Sequence, residues 1–492
     1  MLNLSLEEIK KILKKYKNRK DKIFLIPVYK EIFVDTETPV SLFLKLAKEE
    51  KFSYLLESAQ TNLHWGRYSF ISFSPKKVLK IEKNSKDILT KLRKEVNNYF
   101  VPTESYRSLP RFFGGLVGYL NYELVHILEP KVPLAKNNFL IQFPETFFMF
   151  NSITIIFDHF LNRLKFVSFV EIKNFSEIEK EYFEIEKKID LLITKIYFEK
   201  PEIKNLKFKY GNEKDLVKKY VSNMSKNGFV SKVKKTVKYI KEGDIIQAVI
   251  SRKLAKKTSA EPFDIYRGLR LINPSPYMFF LKFDDTYLIG SSPEILVRKE
   301  GEIIETRPIA GTRPRSVDEE KDKLYEKELI TSQKENAEHI MLVDLARNDI
   351  GKISKFGTVT LPQLKVVERF SHVMHIVSSV KGVLKKGYDC IDVLSATFPA
   401  GTVSGAPKVR AMEIISELEN YSRGPYAGAV GYFGLTGNMD FAITIRTILY
   451  KDNWVMIQSG AGIVADSIPE KEFFETINKA KALMLAIEIA EN

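Results

Sequence analysis

The sequence predicts an α+β fold built on largely antiparallel sheets, and three observations carry that expectation. Strand-like runs follow one another through short turns, as in Tyr277–Phe283 and Tyr287–Ile289 around Asp284-Asp285. Helical patterns fall in separate blocks instead of alternating one for one with strands, so no parallel series of crossovers is written into the chain. Hydrophobic residues make up 44% and aromatic residues 12% of 492 positions, enough for a large buried core, which excludes a disordered chain.

Up to about residue 205 the chain reads as one unit with its own core. MLNLSLEEIKKILKKYKNRKDK is a short amphipathic helix pattern without the apolar stretch or cleavage site of a secretory signal. A strand follows around Phe24–Val28, then a helix over Thr38–Lys48 opened by Pro39. FSYLLESA (Phe52–Ala59) alternates as a strand and ends on the polar pair Glu57-Ser58. Arg111–Glu123 reads as a glycine-containing strand, and Thr146–Phe157 with Leu164–Val170 as a hairpin around Asp158-His159. Phe175, Ile178, Tyr182, Ile185, Ile189, Leu192 and Ile196 recur at spacings of three and four. They form the seam of one helix that caps the sheet, with a short dimeric coiled coil as the alternative. Pro201 ends that helix, and the stretch after it divides the chain into domains 1–205 and 215–492.

The second domain opens with a helix over Leu216–Glu242 and a strand in DIIQAVISRKL. The helix FDIYRGLRLI stops at Asn273–Tyr277, and a further hairpin turns at Lys299-Glu300-Gly301. One long helix spans Val317–Leu345. Strands Gly428–Phe433, Asp440–Tyr450 and Trp454–Ser459 follow, the last two joined at Lys451-Asp452-Asn453, before a closing helix.

Composition narrows the function classes. The net charge of +15 raises nucleic acid or an anionic membrane as partner, but the one dense basic cluster is Lys10–Lys22, without interleaved stacking aromatics. Elsewhere lysines alternate with glutamates, so the charge reads as a solvated surface, with no nucleic-acid partner. No apolar run reaches the ~18–20 residues of a membrane span, so no membrane partner is expected. The single cysteine, Cys390, excludes an internal disulfide and fits a reducing compartment, the cytoplasm. It has no nucleophile elbow around it, and no Cys/His zinc spacing occurs.

What remains is anion and hard-cation chemistry. FPAGTVSGAPKVRAMEII (Phe398–Ile415) compresses two glycines, a Thr and a Ser into a loop that leads into a helix, a setting for an anionic ligand and not a Walker A loop. Glu335 with Glu338, and Glu472 with Glu475, are carboxylates three apart, each pair on one helix face. Two such pairs facing one another suit Mg²⁺; each alone is ordinary surface charge. Lys479, one turn beyond Glu475, is either its i,i+4 partner or aimed at a substrate carboxylate. QSGAGIVAD lacks the surroundings of a dinucleotide site and reads as a glycine turn offering the amides of Gly460, Ala461 and Gly462 to a carboxylate. Arg446 sits in a strand on the face of Ala442 and Thr444, a fork aimed at a pocket or an ion pair. His375 alternates with Val373 and Val377, so it points inward, as a core histidine or as a catalytic one.

Taken together, NPSPYMFF, SSPEILV, ETRPIAGTRPR, AEHIMLVDLARNDIG, HIVSSVKG, GTVSGAPKVRAMEII, GAVGYFG, QSGAGIV and EKEFFETINKA closely resemble the chorismate-utilising enzymes, and within them the anthranilate-forming branch. The match runs from about Leu55 to the C-terminus. The resemblance implies two large, mainly antiparallel sheets packed as a sandwich with helices outside. It implies conversion of chorismate and ammonia to aminodeoxyisochorismate, then loss of pyruvate to leave anthranilate. Glu294 would be the general acid and His375 an aid to elimination, with Thr402 the catalytic residue of the loop that touches the ring. Gly311, Thr312, Tyr426, Arg446, Gly460, Ala461, Gly462 and Lys479 would hold the substrate, with Mg²⁺ on Glu338 and Glu475 and, through water, Glu335 and Glu472. Glu57, Ser58, Pro276, Tyr277 and Met278 would form a pocket for L-tryptophan as feedback inhibitor. Relatives that make para-aminobenzoate precursors or isochorismate carry a lysine where this chain has Ala310, which disfavours the nearest alternative, aminodeoxychorismate synthase. Nothing in the chain hydrolyses glutamine, so a separate glutamine amidotransferase subunit is expected to supply ammonia.

Overall fold

The computed structural model describes residues 2–16, 22–59, 66–82, 85, 87–135, 137–172, 177–207, 216–370 and 373–492. Residues 17–21 of the basic cluster, Phe175 of the helical seam and residues 208–215 of the expected boundary lie outside the described residues. Among the described residues, thirteen strands form one sheet and ten the other. Every strand pairing is antiparallel except that of Ile23–Phe33 with Tyr99–Phe100. The α+β expectation holds. One core cluster takes Tyr54, Leu281 and Leu449 from the first sheet and Tyr119, Phe147 and Val430 from the second, so the sheets face each other. Helices Leu6–Lys15, Pro39–Leu46, Ile178–Phe198 and Pro262–Ile272 bury their apolar stripes on the outer side of the first sheet. The Ile178–Phe198 seam is thus a sheet cap. Among the described residues no helix is long and apolar enough to cross a membrane.

The two halves of the chain share both sheets. Strand Tyr277–Phe283 pairs with Phe52–Glu57, Met278 opposite Glu57, and strand Ala429–Gly434 pairs with Gly115–Leu120, Val430 opposite Tyr119. The division at 1–205 and 215–492 is therefore not a division of packing, because strands from either side of it complete each other's sheets.

Several boundaries differ from the sequence reading. The helix expected from Leu216 starts at Lys226, where Ser225 caps it, because Val221–Ser222 instead pair with the strand Gln247–Lys257. The long Val317–Leu345 helix is two, Glu319–Thr331 and Gln333–Gly351, broken at Ser332, whose side chain accepts from the Glu335 amide. Thr146–Phe157 is two strands, Thr146–Phe150 and Ile153–Asp158, which lie in different sheets. Asp440–Tyr450 is likewise split into Met439–Ile443 in the second sheet and Thr447–Lys451 in the first. Apolar alternation continues across these crossovers, which is why the sequence conceals them.

The FPAGTVSGAPK segment is fastened from beneath. After helix Cys390–Thr397 it makes a short turn at Gly401–Val403, pairs Gly405–Ala406 with Gln247–Ala248, and enters helix Lys408–Glu419. Arg423, only 1% exposed, donates to both carboxylate oxygens of Glu419 (2.9 and 2.7 Å), to the Val403 carbonyl (2.8 Å) and to the Val249 carbonyl (2.7 Å). Glu419 also accepts from the amide and hydroxyl of Ser251 at 2.7 and 2.8 Å. One buried pair thus ties helix, loop and strand together. Arg423→Ala leaves Glu419 buried without its cation and is expected to lower stability by about 3–5 kcal/mol. The double variant Arg423→Met with Glu419→Leu is expected to recover most of that loss; chemical denaturation measures both.

Candidate active site

Two strands cross between the sheets side by side. The chain leaves Thr286–Ser292 in the first sheet and enters Ile295–Glu300 in the second at Pro293-Glu294. It returns from Met439–Ile443 to Thr447–Lys451 through Thr444-Ile445-Arg446, where Arg446 takes φ +51°. The crossings are bonded to each other: the Ile443 amide donates to the Glu294 carbonyl at 3.0 Å, Ser292 Oγ to the Ile443 carbonyl at 2.7 Å, and the Ser291 amide to the Arg446 carbonyl at 3.1 Å. Arg446 is thus at a kink and not within a strand beside Ala442 and Thr444 as expected, and the kink turns its guanidinium toward the closing helix, where it donates to the Lys479 carbonyl at 2.6 Å.

Glu294 is 7% exposed, and burial pushes its carboxyl up to about 8. The Thr402 hydroxyl, the Ile309 amide and the charge of Lys479 offset only part of that. At neutral pH this carboxyl therefore carries its proton. Thr402 Oγ1 is itself buried and has no hydrogen-bond partner of good geometry. Ser404 donates to the Ala400 carbonyl at 2.8 Å and Lys408 forms an ion pair with Asp349, so those two loop residues shape the turn and Thr402 alone of the three faces Glu294.

His375 lies on strand Val373–Val383 with Nδ1 2.8 Å from the Gly311 carbonyl and 3.1 Å from Thr312 Oγ1. A carbonyl only accepts, so Nδ1 bears the hydrogen and Nε2 is left as the basic atom. Burial lowers the imidazole pKa, with the nearby Arg446 charge in the same direction. Gly311 holds φ +63°, and a Cβ there would come within 2.8 Å of the Leu329 side chain and 3.1 Å of Glu335 Oε2.

Gly460, Ala461 and Gly462 correct the sequence reading: they continue strand Trp454–Ile463, paired with Ser251, Ile250 and Val249, and form no turn. The neighbouring strand on their other side reaches only Ile457 opposite Ile448, so their second edge is open toward the crossings. A Cβ at Gly460 would lie 2.8 Å from the Tyr426 hydroxyl, which explains the glycine, while the Ala461 methyl packs in the core beneath the helices. Lys479 Nζ meets Glu475 Oε1 at 2.7 Å and the Gly460 carbonyl at 3.1 Å, so it is the i,i+4 partner and also borders that open edge.

The two carboxylate pairs lie on helices Gln333–Gly351 and Pro469–Glu491. Burial, then the neighbouring carboxylate, raises Glu338 and Glu472, with Glu335 acting on the first and Glu475 on the second. Lys334 and Lys479 lower both, while Glu335 is paired with Arg313 at 3.3 Å and Glu475 with Lys479 at 2.7 Å. Among the described residues no three His, Cys, Asp or Glu side chains converge into a closed ligand set. Half-buried oxygen anions that repel each other nevertheless fit a hard divalent cation that takes few protein ligands. Gln247, which the sequence reading passed over, donates to Glu338 Oε1 at 3.2 Å; its strand alternation carried no sign of that role.

A separate cavity of about 300 Å³ opens where the halves join, lined among others by Glu57, Ser58, Pro276, Tyr277 and Met278. Glu57 is held by Tyr266 and by Arg270 at 3.2 Å, while Asp440 takes the Tyr277 hydroxyl and Arg298 Nε, both at 2.8 Å. Ser58 Oγ is buried without a partner. The pocket offers apolar walls and charges of both signs.

Glu294 should titrate with a midpoint of about 8 in a ¹³C-carboxyl NMR experiment, and Thr402→Val should move that midpoint upward, since the hydroxyl lowers it.

Comparison with known proteins accords with this arrangement. A family model described as chorismate binding enzyme matches residues 52–485. Anthranilate synthase component 1 of Aquifex aeolicus is 49% identical, covering 100% of this chain and 99% of its own. That of Acetivibrio thermocellus is 43% identical over 99% and 98%. The crystal structure of anthranilate synthase component I from Streptococcus pneumoniae TIGR4 superposes with a TM-score of 0.74 at 35% identity, covering 85% of this chain and 92% of that one. The menaquinone-specific isochorismate synthase of Escherichia coli, 17% identical with a TM-score of 0.70 and coverage of 98% and 100%, shares the fold. With a family match over most of its length and relatives this similar end to end, the chain belongs to the chorismate-binding enzymes.

Proposed function

We propose that this chain is the large subunit of an anthranilate synthase, making anthranilate and pyruvate from chorismate and ammonia by way of aminodeoxyisochorismate. The observation that carries this reading is the buried Glu294, whose carboxyl burial pushes up to about 8, facing Thr402 with the charge of Lys479 nearby. Chorismate must lose a ring hydroxyl, a poor leaving group, and Glu294 donates the proton that turns it into water. Arg446 and Lys479 provide positive charge for the substrate carboxylates, and Gly311, Thr312, Tyr426 and the open edge of Gly460–Gly462 fix the ring. His375 Nε2 accepts the ring proton as the enolpyruvyl C–O bond breaks and the ring becomes aromatic. Mg²⁺ on Glu338 and Glu475, with Glu335 and Glu472 through water, would supply Lewis-acid charge to the ring carboxylate. Ala310, buried beside Gly311, brings no amine that would compete with ammonia, which favours this product over aminodeoxychorismate.

Ammonia is mostly ammonium at neutral pH, so a glutamine amidotransferase partner that delivers it unprotonated belongs to the proposal. Feedback inhibition by L-tryptophan belongs to it too: the pocket's apolar walls suit an indole, and its mixed charges suit a zwitterion.

Purified chain with chorismate, Mg²⁺ and ammonium at alkaline pH should generate anthranilate fluorescence, and accumulation of aminodeoxychorismate would overturn the assignment. Glu294→Gln should lower turnover by ~10²–10⁴-fold, since it removes the general acid. Rate divided by free ammonia concentration should fall as pH rises through about 8, where Glu294 loses its proton. Tryptophan should inhibit the unaltered chain but not Ser58→Phe, whose ring fills the pocket; equal inhibition of both in a steady-state assay would refute the pocket's role.

A further inference from the structure

Behind Glu294, toward helix Gln333–Gly351, lies a cavity of about 40 Å³ that the reaction as described does not use. Its lining includes Glu294, Thr402, Leu345, Ala346 and Asp349. Asp349 is 6% exposed and ion-paired to Lys408, and Lys352, on the next helical turn at 3.3 Å, carries the contact to solvent. The cavity exceeds the ~10–15 Å³ that one water needs, and its wall includes the buried Thr402 hydroxyl, which faces Glu294. Two carboxyl groups and a hydroxyl around one such space supply the two to four polar partners a buried water requires.

We propose that water in this cavity joins Glu294 to the Asp349–Lys408 pair, and that the proton Glu294 spends in each turnover returns by this route. The inference rests on Glu294 being the general acid. In the first step its O–H bond breaks and the ring hydroxyl leaves as water. The ammonia that bonds to the ring becomes an ammonium and gives one proton to solvent. Glu294 regains one from solvent through Asp349, so the cycle closes without net proton change. The charged groups facing the relay are Lys352 and Lys408 at Asp349, Glu129 near Lys408, and Lys479 near Glu294. Lys408 of the SGAPK stretch is paired with Asp349, which lines the same cavity as Glu294.

The test uses Asp349→Asn, which removes the carboxylate, and Ala346→Leu, which fills the cavity without altering Asp349. Chorismate, Mg²⁺ and ammonium are supplied to the full chain, and folding is checked by circular dichroism. Both variants should lose about tenfold or more in turnover, part of the ~10²–10⁴ a general acid contributes, with KM for chorismate nearly unchanged. The solvent deuterium isotope effect on turnover should rise, and Asp349→Glu should restore both. Unchanged turnover and isotope effect in the folded variants would overturn the relay, as would a KM increase without an isotope change. Should Asp349→Asn fail to fold, Ala346→Leu decides. Glu294→Gln separates the two ideas: if it stays active the general-acid reading fails, and if it alone is inactive only the relay fails.

Discussion

The site depends on two neighbouring strands changing sheets at the same level. Where Pro293-Glu294 and Thr444-Ile445-Arg446 cross, neither sheet can close over them, and the gap is where ionisable groups gather. Mutual bonds, Ile443 amide to Glu294 carbonyl and Ser291 amide to Arg446 carbonyl, satisfy the backbone that each crossing withdraws from its sheet. Acid and cation are thereby fixed relative to each other by main chain, not by long side chains. In the proposed reaction, with its poor leaving group, such placement matters because a misplaced donor loses much of its effect.

A second constraint holds the Thr402 loop against that gap. The guanidinium of Arg423 spans a helix, the loop carbonyl of Val403 and the strand carbonyl of Val249, with Glu419 as its counter-charge. A fork of five donors can join three backbone segments in this way where an ammonium could not. The loop thus reaches Glu294 as a braced surface, and its hydroxyl is free to face the carboxyl because Ser404 and Lys408 are occupied elsewhere.

Much of this was legible in the sequence. Hairpins, the opening of a helix at Pro39 and the apolar seam of Ile178–Phe198 follow from periodicity and turn chemistry, because each is a local property. The crossings were not legible. Phe441–Leu449 alternates as one strand would, and only the tertiary path shows that Arg446 interrupts it with a left-handed residue. The same limit made Gly460–Gly462 look like a turn: small residues were read as a bend, when they keep an edge flat for the Tyr426 hydroxyl. Gln247, Arg423 and Asp349 escaped notice because their partners are distant in sequence and their types are unremarkable at those positions.

The pairing of Met278 with Glu57 and of Val430 with Tyr119 has a consequence for how such a chain can be inherited. Were the segment after residue 215 to stand alone, Tyr277–Phe283 and Ala429–Gly434 would end both sheets as raw edges studded with Phe279, Leu281 and Tyr432, a template for aggregation. The proposed catalytic residues therefore do not form a portable module. A gene that keeps them must keep the first half of the chain as well, and with that half comes the cavity at the seam, whether or not a lineage has use for a regulator there.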